Sequence, residues 1–245
     1  MRRRRSGHDP GRAAPRHPGD GMIAALVFDF DGLMVDTESP LVEAYGAVHA
    51  HYGVPFERKL FLRNVGHADF TFDPWHAFEK RADRVRLETE RRERHRELDK
   101  HLPALPGVIP LLESARAAGL RLGVASNSSH GHVEGHLGRL RLLQHFEYLA
   151  CREDAGSPKP EPDLYRLVLN RFGLSGRATV AFEDSQAGSL AARRAGLWVV
   201  VVPNPATEHH AFDHADWKIA SLAEVRLPEL MSRFSTIDPK ISRNS

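Results

Sequence analysis

The sequence predicts an α/β fold: a Rossmann-like parallel sheet core with an inserted helical cap domain. Two observations support this. Short, continuously apolar runs alternate with helical patterns along most of the chain, and residues 37–103 interrupt that alternation with consecutive helical patterns. Strands that are apolar throughout are typical of a parallel sheet covered by helices on both faces. We therefore expect the core to comprise residues 22–36 and 104–232, and the cap residues 37–103.

The first predicted strand, residues 23–28, ends in the polar sequence DFDG. Further strands are expected over residues 121–126, 148–150, 179–184, 197–202 and 217–220. The first cap helix is predicted over residues 40–51, with Ser39 as its N-cap and Pro40 in its first turn. The last cap helix is expected over residues 78–100, with Glu88/Arg92 and Glu90/Arg94 spaced for ion pairs.

Both ends of the chain are predicted to lie outside the core. Residues 1–21 contain six arginines, two aspartates and no apolar periodicity, which indicates a disordered basic tail. Residues 233–245 are expected to form a C-terminal tail. The remaining residues carry 28 basic and 30 acidic side chains. This balance does not favour a nucleic-acid partner for the core, although the role of the basic tail stays open.

Composition also limits the setting in which the protein works. No run approaches the roughly 18 to 20 apolar residues of a membrane-spanning helix, so no membrane partner is expected. The single cysteine, Cys151, cannot form an internal disulfide and fits a reducing compartment. We expect a cytoplasmic protein, monomeric or dimeric, in which Cys151 packs in the interior rather than acting as a nucleophile.

Chemistry is expected where predicted strands end, because ligands of parallel α/β sheets bind at the carboxyl ends of the strands. The side chains at these ends are Asp29, Asp31, Ser126, Glu183 and Asp184. Two carboxylates in one pocket repel each other and need a cation or separate roles. Mg²⁺, which prefers oxygen ligands and phosphates, would meet this need. One carboxylate could then attack phosphorus while the other moves a proton.

Four motifs in order resemble those of the haloacid dehalogenase-like (HAD) hydrolase superfamily, in particular its β-phosphoglucomutase-like and capped phosphatase members. DFDGLMVDT resembles the first motif, and GVASNSS the second. SPKPEPDLY resembles the third, and VAFEDSQAGSLAARRAGL the fourth. The resemblance implies a phosphatase that hydrolyses a small phosphorylated metabolite, a sugar phosphate or a nucleotide monophosphate, through an aspartyl-phosphate intermediate.

The resemblance also implies roles for individual residues. Asp29 corresponds to the nucleophile and Asp31 to the general acid and base. Ser126 and Lys159 correspond to groups that contact the transferred phosphoryl group, and Asn127 is a further candidate for substrate binding. Positioning and charge neutralisation are also what phosphoryl transfer requires of a protein.

A magnesium site is implied by the same motifs. Its expected ligands are the Asp29 carboxylate, the Asp31 backbone carbonyl and the acid of the fourth motif. For that acid Asp184 is the main candidate, with Glu183 in support.

Other activities of the superfamily fit less well. Dehalogenases lack the second acid, so Asp31 argues against dehalogenation, and a phosphonate hydrolase also differs at this position. Sugar phosphomutases of the β-phosphoglucomutase type carry a histidine where this chain has Leu41, and His49 lies too far along the chain. A mutase therefore remains the alternative, as does a non-catalytic binding protein on the same fold.

Fifteen histidines raise the possibility of a zinc site. His132 and His136 are spaced to share one helix face, as are His210 and His214, but zinc requires at least a third ligand. The sequence does not identify one. In the cap, possible substrate contacts are Asp69, Asp73, Trp75 and His76, which the sequence does not rank.

Overall fold

The structure is a computed structural model that describes residues 21–64, 72–78 and 83–235. Six parallel strands form one sheet in the order β3-β2-β1-β4-β5-β6. The strands are β1 (Ala25–Phe28), β2 (Arg121–Ala125), β3 (Tyr148–Ala150), β4 (Thr179–Glu183), β5 (Trp198–Val201) and β6 (Trp217–Lys218). This confirms the predicted Rossmann-like sheet, and the strand order reverses its direction at β1.

Helices cover both faces of the sheet because successive strand residues point to opposite sides. Leu26 and Phe28 of β1 pack on one side, and Ala25 and Val27 pack on the other. The core helices are α4 (Val108–Ala117), α5 (His130–Arg139), α6 (Asp163–Phe172), α7 (Gln186–Arg194) and α8 (Leu227–Phe234). Each fully buried leucine or phenylalanine stabilises the fold by about 1.5–3 kcal/mol.

The last of these helices corrects a predicted boundary. Arg233 and Phe234 still belong to α8, and the Phe234 ring is buried against Trp198 at 5.2 Å between ring centroids. The predicted start of the C-terminal tail at residue 233 is therefore too early in the sequence. The predicted basic tail lies almost wholly outside the described residues.

The cap is inserted after β1 and its described part is helical. It contains α1 (Glu38–His51), α2 (Arg58–Asn64) and α3 (Arg84–Asp99). α1 and α3 pack together around the buried residues Val48, Trp75, Phe78 and Leu87. The chain enters and leaves the cap at one place, where Val35 forms an antiparallel bridge with Ala104.

Two local predictions for the cap were wrong. Ser39 is not the N-cap of α1, because the helix begins at Glu38 and the Asp36 carboxylate accepts a hydrogen bond from the Ser39 amide. The Glu88–Arg92 pair forms, whereas Glu90 pairs with Arg86 on its N-terminal side rather than with Arg94.

Across the ranges 21–64, 72–78 and 83–235, no helix has both the length and the apolar character needed to cross a membrane.

Candidate active site

The carboxyl ends of β1, β2 and β4 meet at one edge of the sheet and place the predicted polar residues together. β1 lies between β2 and β4, so Asp29, Ser126 and Glu183 come from adjacent strands. Asp29 and Ser126 line a cavity of about 120 Å³, and Glu183 contacts Lys159, which lines it too. The cavity is lined by Asp29, Asp31, Glu38, Ser126, Asn127, Lys159, Asp184, Ser185, Ala187 and Gly188.

Asp29 is buried beside a lysine. The Lys159 Nζ donates to Asp29 Oδ1 at 2.5 Å. Burial raises the pKa of Asp29 well above its ordinary value, and the carboxylates of Glu183 and Asp31 raise it further, whereas Lys159 lowers it. The single lysine thus does not neutralise the acidic groups around Asp29, and the site favours an additional cation.

Lys159 is held by contacts at both its backbone and its ammonium group. The Asn127 side-chain oxygen accepts a hydrogen bond from the Lys159 amide at 2.9 Å. At the other end, Nζ also donates to Glu183 Oε1 at 2.6 Å. Burial alone would lower the pKa of Lys159, but Asp29 and Glu183 raise it above its ordinary value, so this side chain remains a cation.

Asp31 is held by donors from three parts of the chain. Oδ1 accepts from the Thr37 hydroxyl at 2.8 Å and lies 2.9 Å from His132 Nε2. Oδ2 accepts from the Ser128 hydroxyl at 2.7 Å and lies 3.4 Å from Ser126 Oγ. Burial would raise the pKa of Asp31. The hydrogen bond and charge of His132, and then the hydroxyl groups of Ser128 and Thr37, bring this pKa below its ordinary value. The carboxylate form, which can accept a proton, is therefore favoured.

Sequence reasoning did not assign His132 and Ser128 to this site. Ser128 lies within the motif GVASNSS, so the motif itself was a signal that could have found it. His132 was considered only as a zinc ligand. It reaches Asp31 from the first turn of α5, which Ser129 caps by accepting a hydrogen bond from the His132 amide.

Asp184 also lines the cavity. Its Oδ2 accepts from the Asn204 amide at 2.8 Å. Burial raises the pKa of Asp184 well above its ordinary value, and Asp29, Glu38 and Glu183 raise it further. Glu38, which sequence reasoning also missed, lines the cavity, and burial raises its pKa to about 7.

The acidic residues fit a divalent cation. One oxygen each of Asp29, Glu183 and Asp184 lies within 4.8 Å of the others, and all three residues are buried. Such oxygen donors suit Mg²⁺. Glu183 also accepts hydrogen bonds from Lys159 and from the Tyr165 hydroxyl, at 2.6 and 2.5 Å. The assignment of Asp29, Asp31, Asp184 and Glu183 as ligands stays a prediction.

The cap residues considered as substrate contacts have partners within the cap. Asp73 pairs with Arg84, and His76 with Glu57. Trp75 is buried and stacks on His49 at 5.7 Å between ring centroids. Asp69 lies outside the described residues.

Three other side chains do not line the cavity. His49 is buried in the cap between the carbonyl oxygens of Pro55 and Pro74, and Leu41 packs against the apolar cluster of Val42 and Phe61. Cys151 is buried in the core, and burial raises the pKa of its thiol to about 12. A nucleophilic role for Cys151 is therefore disfavoured.

The parallel α/β fold with its inserted helical cap, and a site of carboxylates and a lysine at the carboxyl edge of the sheet, define the class of protein. The family model of the haloacid dehalogenase-like hydrolases matches residues 26–202. The chain belongs to this family, as the four sequence motifs implied, and it is an enzyme of the hydrolase class.

The chain matches several proteins over nearly the whole of their length. A Bacillus subtilis protein named only as a candidate phosphatase, YhcW, is 36% identical over 88% of this chain and 99% of its own. Hexitol phosphatase B of Escherichia coli (strain K12) is 32% identical over 85% of this chain and 97% of its own. Among solved structures, a mutant of CbbY from Rhodobacter sphaeroides in complex with xylulose-(1,5)bisphosphate is 29% identical, with a TM-score of 0.64 over 83% of this chain and 96% of its own.

Proposed function

We propose that the protein is a Mg²⁺-dependent phosphatase that hydrolyses a small sugar phosphate through an aspartyl-phosphate intermediate on Asp29. One observation carries the proposal. The Asp29 carboxylate, which is bound to a buried lysine, shares a small cavity with a second carboxylate, Asp31, that is held in place by donors of its own.

In the first step, an oxygen of Asp29 forms a bond to phosphorus and the bond from phosphorus to the ester oxygen breaks. Asp31, protonated in the substrate complex, gives its proton to the departing oxygen. A substrate phosphate beside Asp31 favours that protonated form, because like charges disfavour the carboxylate. Lys159 and Ser126 contact the phosphoryl oxygens, and Mg²⁺, when bound, supplies charge neutralisation for the phosphoryl group.

In the second step, water attacks phosphorus, the bond between phosphorus and Asp29 breaks, and phosphate is released. Asp31 accepts the water proton. The lowered pKa of Asp31 suits this step, since the carboxylate is the form that acts as a base.

The size of the cavity and the relatives support the substrate class. A volume of about 120 Å³ accommodates little more than a phosphoryl group, so the rest of the substrate must lie toward the cap. Hexitol phosphatase B and a Thermotoga maritima phosphorylated carbohydrates phosphatase carry sugar-type substrates in their names. These relatives favour a sugar phosphate over a nucleotide monophosphate.

The test is hydrolysis of a panel of sugar phosphates and nucleotide monophosphates, with Mg²⁺ or with chelator. Asp29→Asn is the test variant, and Asp213→Asn, at an exposed loop position, is the matched control. We expect phosphate release that needs Mg²⁺, is lost in Asp29→Asn and persists in the control. Equal release by Asp29→Asn and the parent protein would refute the proposed mechanism.

The same panel separates the alternatives. A phosphomutase would convert a sugar 1-phosphate to a 6-phosphate, which ³¹P NMR detects without release of phosphate. The apolar packing of Leu41 provides no acid or base at the position where mutases carry a histidine. A binding protein would retain Mg²⁺ and phosphate binding without turnover.

We further propose a cytoplasmic location, which cell fractionation would check. Gel filtration with light scattering would decide between monomer and dimer.

A further inference from the structure

A second cluster of metal-ligating side chains lies where the cap meets the core. The cap helix α3 contributes His95 and Asp99, and the core helix α5 contributes His132 and His136. Each pair is spaced by four residues, so its members share one face of their helix. The two faces meet: His136 Nε2 lies 3.0 Å from Asp99 Oδ2, and the two imidazole rings of α5 lie 4.7 Å apart between centroids.

The geometry is close to that of a three-residue zinc site. One ligand atom each of Asp99, His132 and His136 lies within 4.8 Å of the others. Zinc holds nitrogen and oxygen donors at about 2.0–2.2 Å, which places neighbouring donors about 3.3–3.6 Å apart in a tetrahedron. Small side-chain rotations would close the difference. The third ligand, which the histidine spacing alone could not identify, comes from a residue 37 positions before His136.

Two atoms of this cluster lack a partner. Asp99 Oδ1 and His95 Nε2 are buried and accept or donate no hydrogen bond within the described residues. Leaving a buried polar atom unpaired costs about 1–3 kcal/mol. A cation bound at the cluster would satisfy the Asp99 oxygen. Burial lowers the pKa of His136, which favours the neutral imidazole that binds metals, whereas the hydrogen bond to Asp31 raises the pKa of His132, so zinc must displace a proton from that ligand.

Three exposed cations, Arg96, Lys100 and Arg139, line the adjoining cavity of about 310 Å³. Their positive charges disfavour the binding of a cation. The charge of Lys100 is offset, because this side chain pairs with Glu97. Arg139 donates to the Leu102 carbonyl and lies 3.1 Å from His136 Nδ1. A metal on Nε2 leaves the proton of His136 on Nδ1, so Arg139 must release that nitrogen. Arg139 therefore competes with metal binding.

We propose that Asp99, His132 and His136 form a site for a transition metal of the Zn²⁺ class, separate from the acidic cluster of Asp29 and Asp184. Imidazole donors select Zn²⁺, Ni²⁺ or Cu²⁺ over Mg²⁺. Occupancy links the cap helix α3 to the core helix α5. His132 Nε2 also contacts Asp31 at 2.9 Å, so a metal bound to His132 changes the charge and orientation of a side chain that holds Asp31. We therefore expect zinc to inhibit the enzyme from a site that Mg²⁺ does not compete for.

The test is Zn²⁺ titration calorimetry on the full-length protein in excess Mg²⁺, which keeps the acidic cluster filled. We expect one Zn²⁺ per chain, with affinity reduced at least about tenfold in His136→Gln and in Asp99→Asn. Arg139→Met should bind Zn²⁺ more tightly than the parent protein. His130→Gln, the same substitution on the same helix, is the matched control and should bind as the parent does.

Thermal unfolding without zinc verifies that each variant folds. Equal Zn²⁺ affinity in His136→Gln, Asp99→Asn and the parent would overturn the proposal. So would zinc binding that is lost in Asp184→Asn and kept in His136→Gln, because it would place the ion at the acidic cluster. Tetrahedral Co²⁺ absorption, lost in His136→Gln, would support it. These experiments measure metal binding, so their outcome does not depend on whether the proposed phosphatase reaction is correct.

An activity measurement then tests the link to Asp31. Zinc should inhibit the parent protein at saturating Mg²⁺, and the inhibition should be weaker in His136→Gln. Inhibition that excess Mg²⁺ fully relieves would contradict a separate inhibitory site.

Discussion

Lys159 donates a hydrogen bond to Glu183 Oε1 at 2.6 Å, at a depth where both side chains are nearly or completely inaccessible to solvent. The same ammonium group contacts Asp29. Lys159 therefore joins the proposed nucleophile to a carboxylate behind it, and its charge is fixed relative to both. This arrangement makes the lysine a structural element as well as a candidate catalytic group.

Replacing Lys159 with alanine should lower the free energy of unfolding by about 3–5 kcal/mol at neutral pH, because two buried carboxylates lose their cation. Urea denaturation in chelator measures this. Lys100→Ala, which removes an exposed lysine paired with Glu97, is the control, and a loss below about 1 kcal/mol is expected there. A similarly small loss for Lys159→Ala would contradict the buried ion pair.

Tyr165→Phe tests the second donor to Glu183. The buried Tyr165 hydroxyl donates to Glu183 Oε1 at 2.5 Å. Its removal should cost about 1.5–3 kcal/mol of stability, the range for hydrogen bonds to charged groups. Tyr52→Phe is a matched control, since its hydroxyl donates to Glu90 at 2.7 Å in a more accessible place in the cap. The Tyr52 substitution should have the smaller effect on the urea midpoint, and the reverse order would refute this account.

Alanine substitutions at two glycines with positive φ distinguish the cost of backbone strain from the cost of a steric clash. Gly107 and Gly119 have φ values of +89° and +77°. A Cβ at Gly107 would lie 2.1 Å from the Ala223 backbone nitrogen, whereas one at Gly119 would meet nothing within 4 Å. Gly119→Ala should cost about 1–2 kcal/mol, the penalty of the left-handed conformation. Gly107→Ala should cost clearly more, and equal melting temperatures of the two variants would be evidence against this packing.

Glu38 should make stability depend on pH. Its pKa in the folded protein is about 7, against an ordinary 4.5. The folded state thus binds the proton more tightly than the unfolded state. The resulting stabilisation is complete below pH 4.5 and is lost as the pH rises through about 7.

Glu38→Gln isolates this effect, because glutamine stays neutral. In chelator, the unfolding free energy of the parent protein minus that of Glu38→Gln should fall as the pH is raised from 4.5 to about 7 and then level off. Denaturant titrations at several pH values measure the difference. A difference that rises with pH would mean that the pKa of Glu38 is lowered, not raised.

Much of the fold and part of the site could be predicted from local sequence. Apolar runs identified the strands, and the parallel sheet then required their carboxyl ends to meet, which brought Asp29, Ser126 and Asp184 together. The donors around Asp31 could not be found in this way. Ser128 and His132 are 97 and 101 residues away from Asp31 along the chain. Helical spacing predicts which residues share one face of a helix, but it does not predict which distant side chains that face will contact.

Adjacent residues posed a related problem in the fourth motif. Glu183 and Asp184 are both acidic, and successive residues at a strand end point in different directions. Only the structure shows that Glu183 contacts Lys159 and Tyr165, while Asp184 contacts Asn204. In the same way, the charged residues of α3 indicated ion pairs, but they did not show that Glu90 would pair with Arg86 rather than with Arg94.

The bridge between Val35 and Ala104 means that the whole cap leaves and rejoins the core at neighbouring positions. The entropic cost of closing an insertion between adjacent ends grows only slowly with the length of the insertion. Caps of other lengths and shapes can therefore be joined here while the sheet keeps its geometry. For enzyme engineering, a graft at this junction should keep Thr37 and Glu38, which contact Asp31 and line the cavity, respectively, and replace the residues beyond them, changing which phosphate esters are admitted.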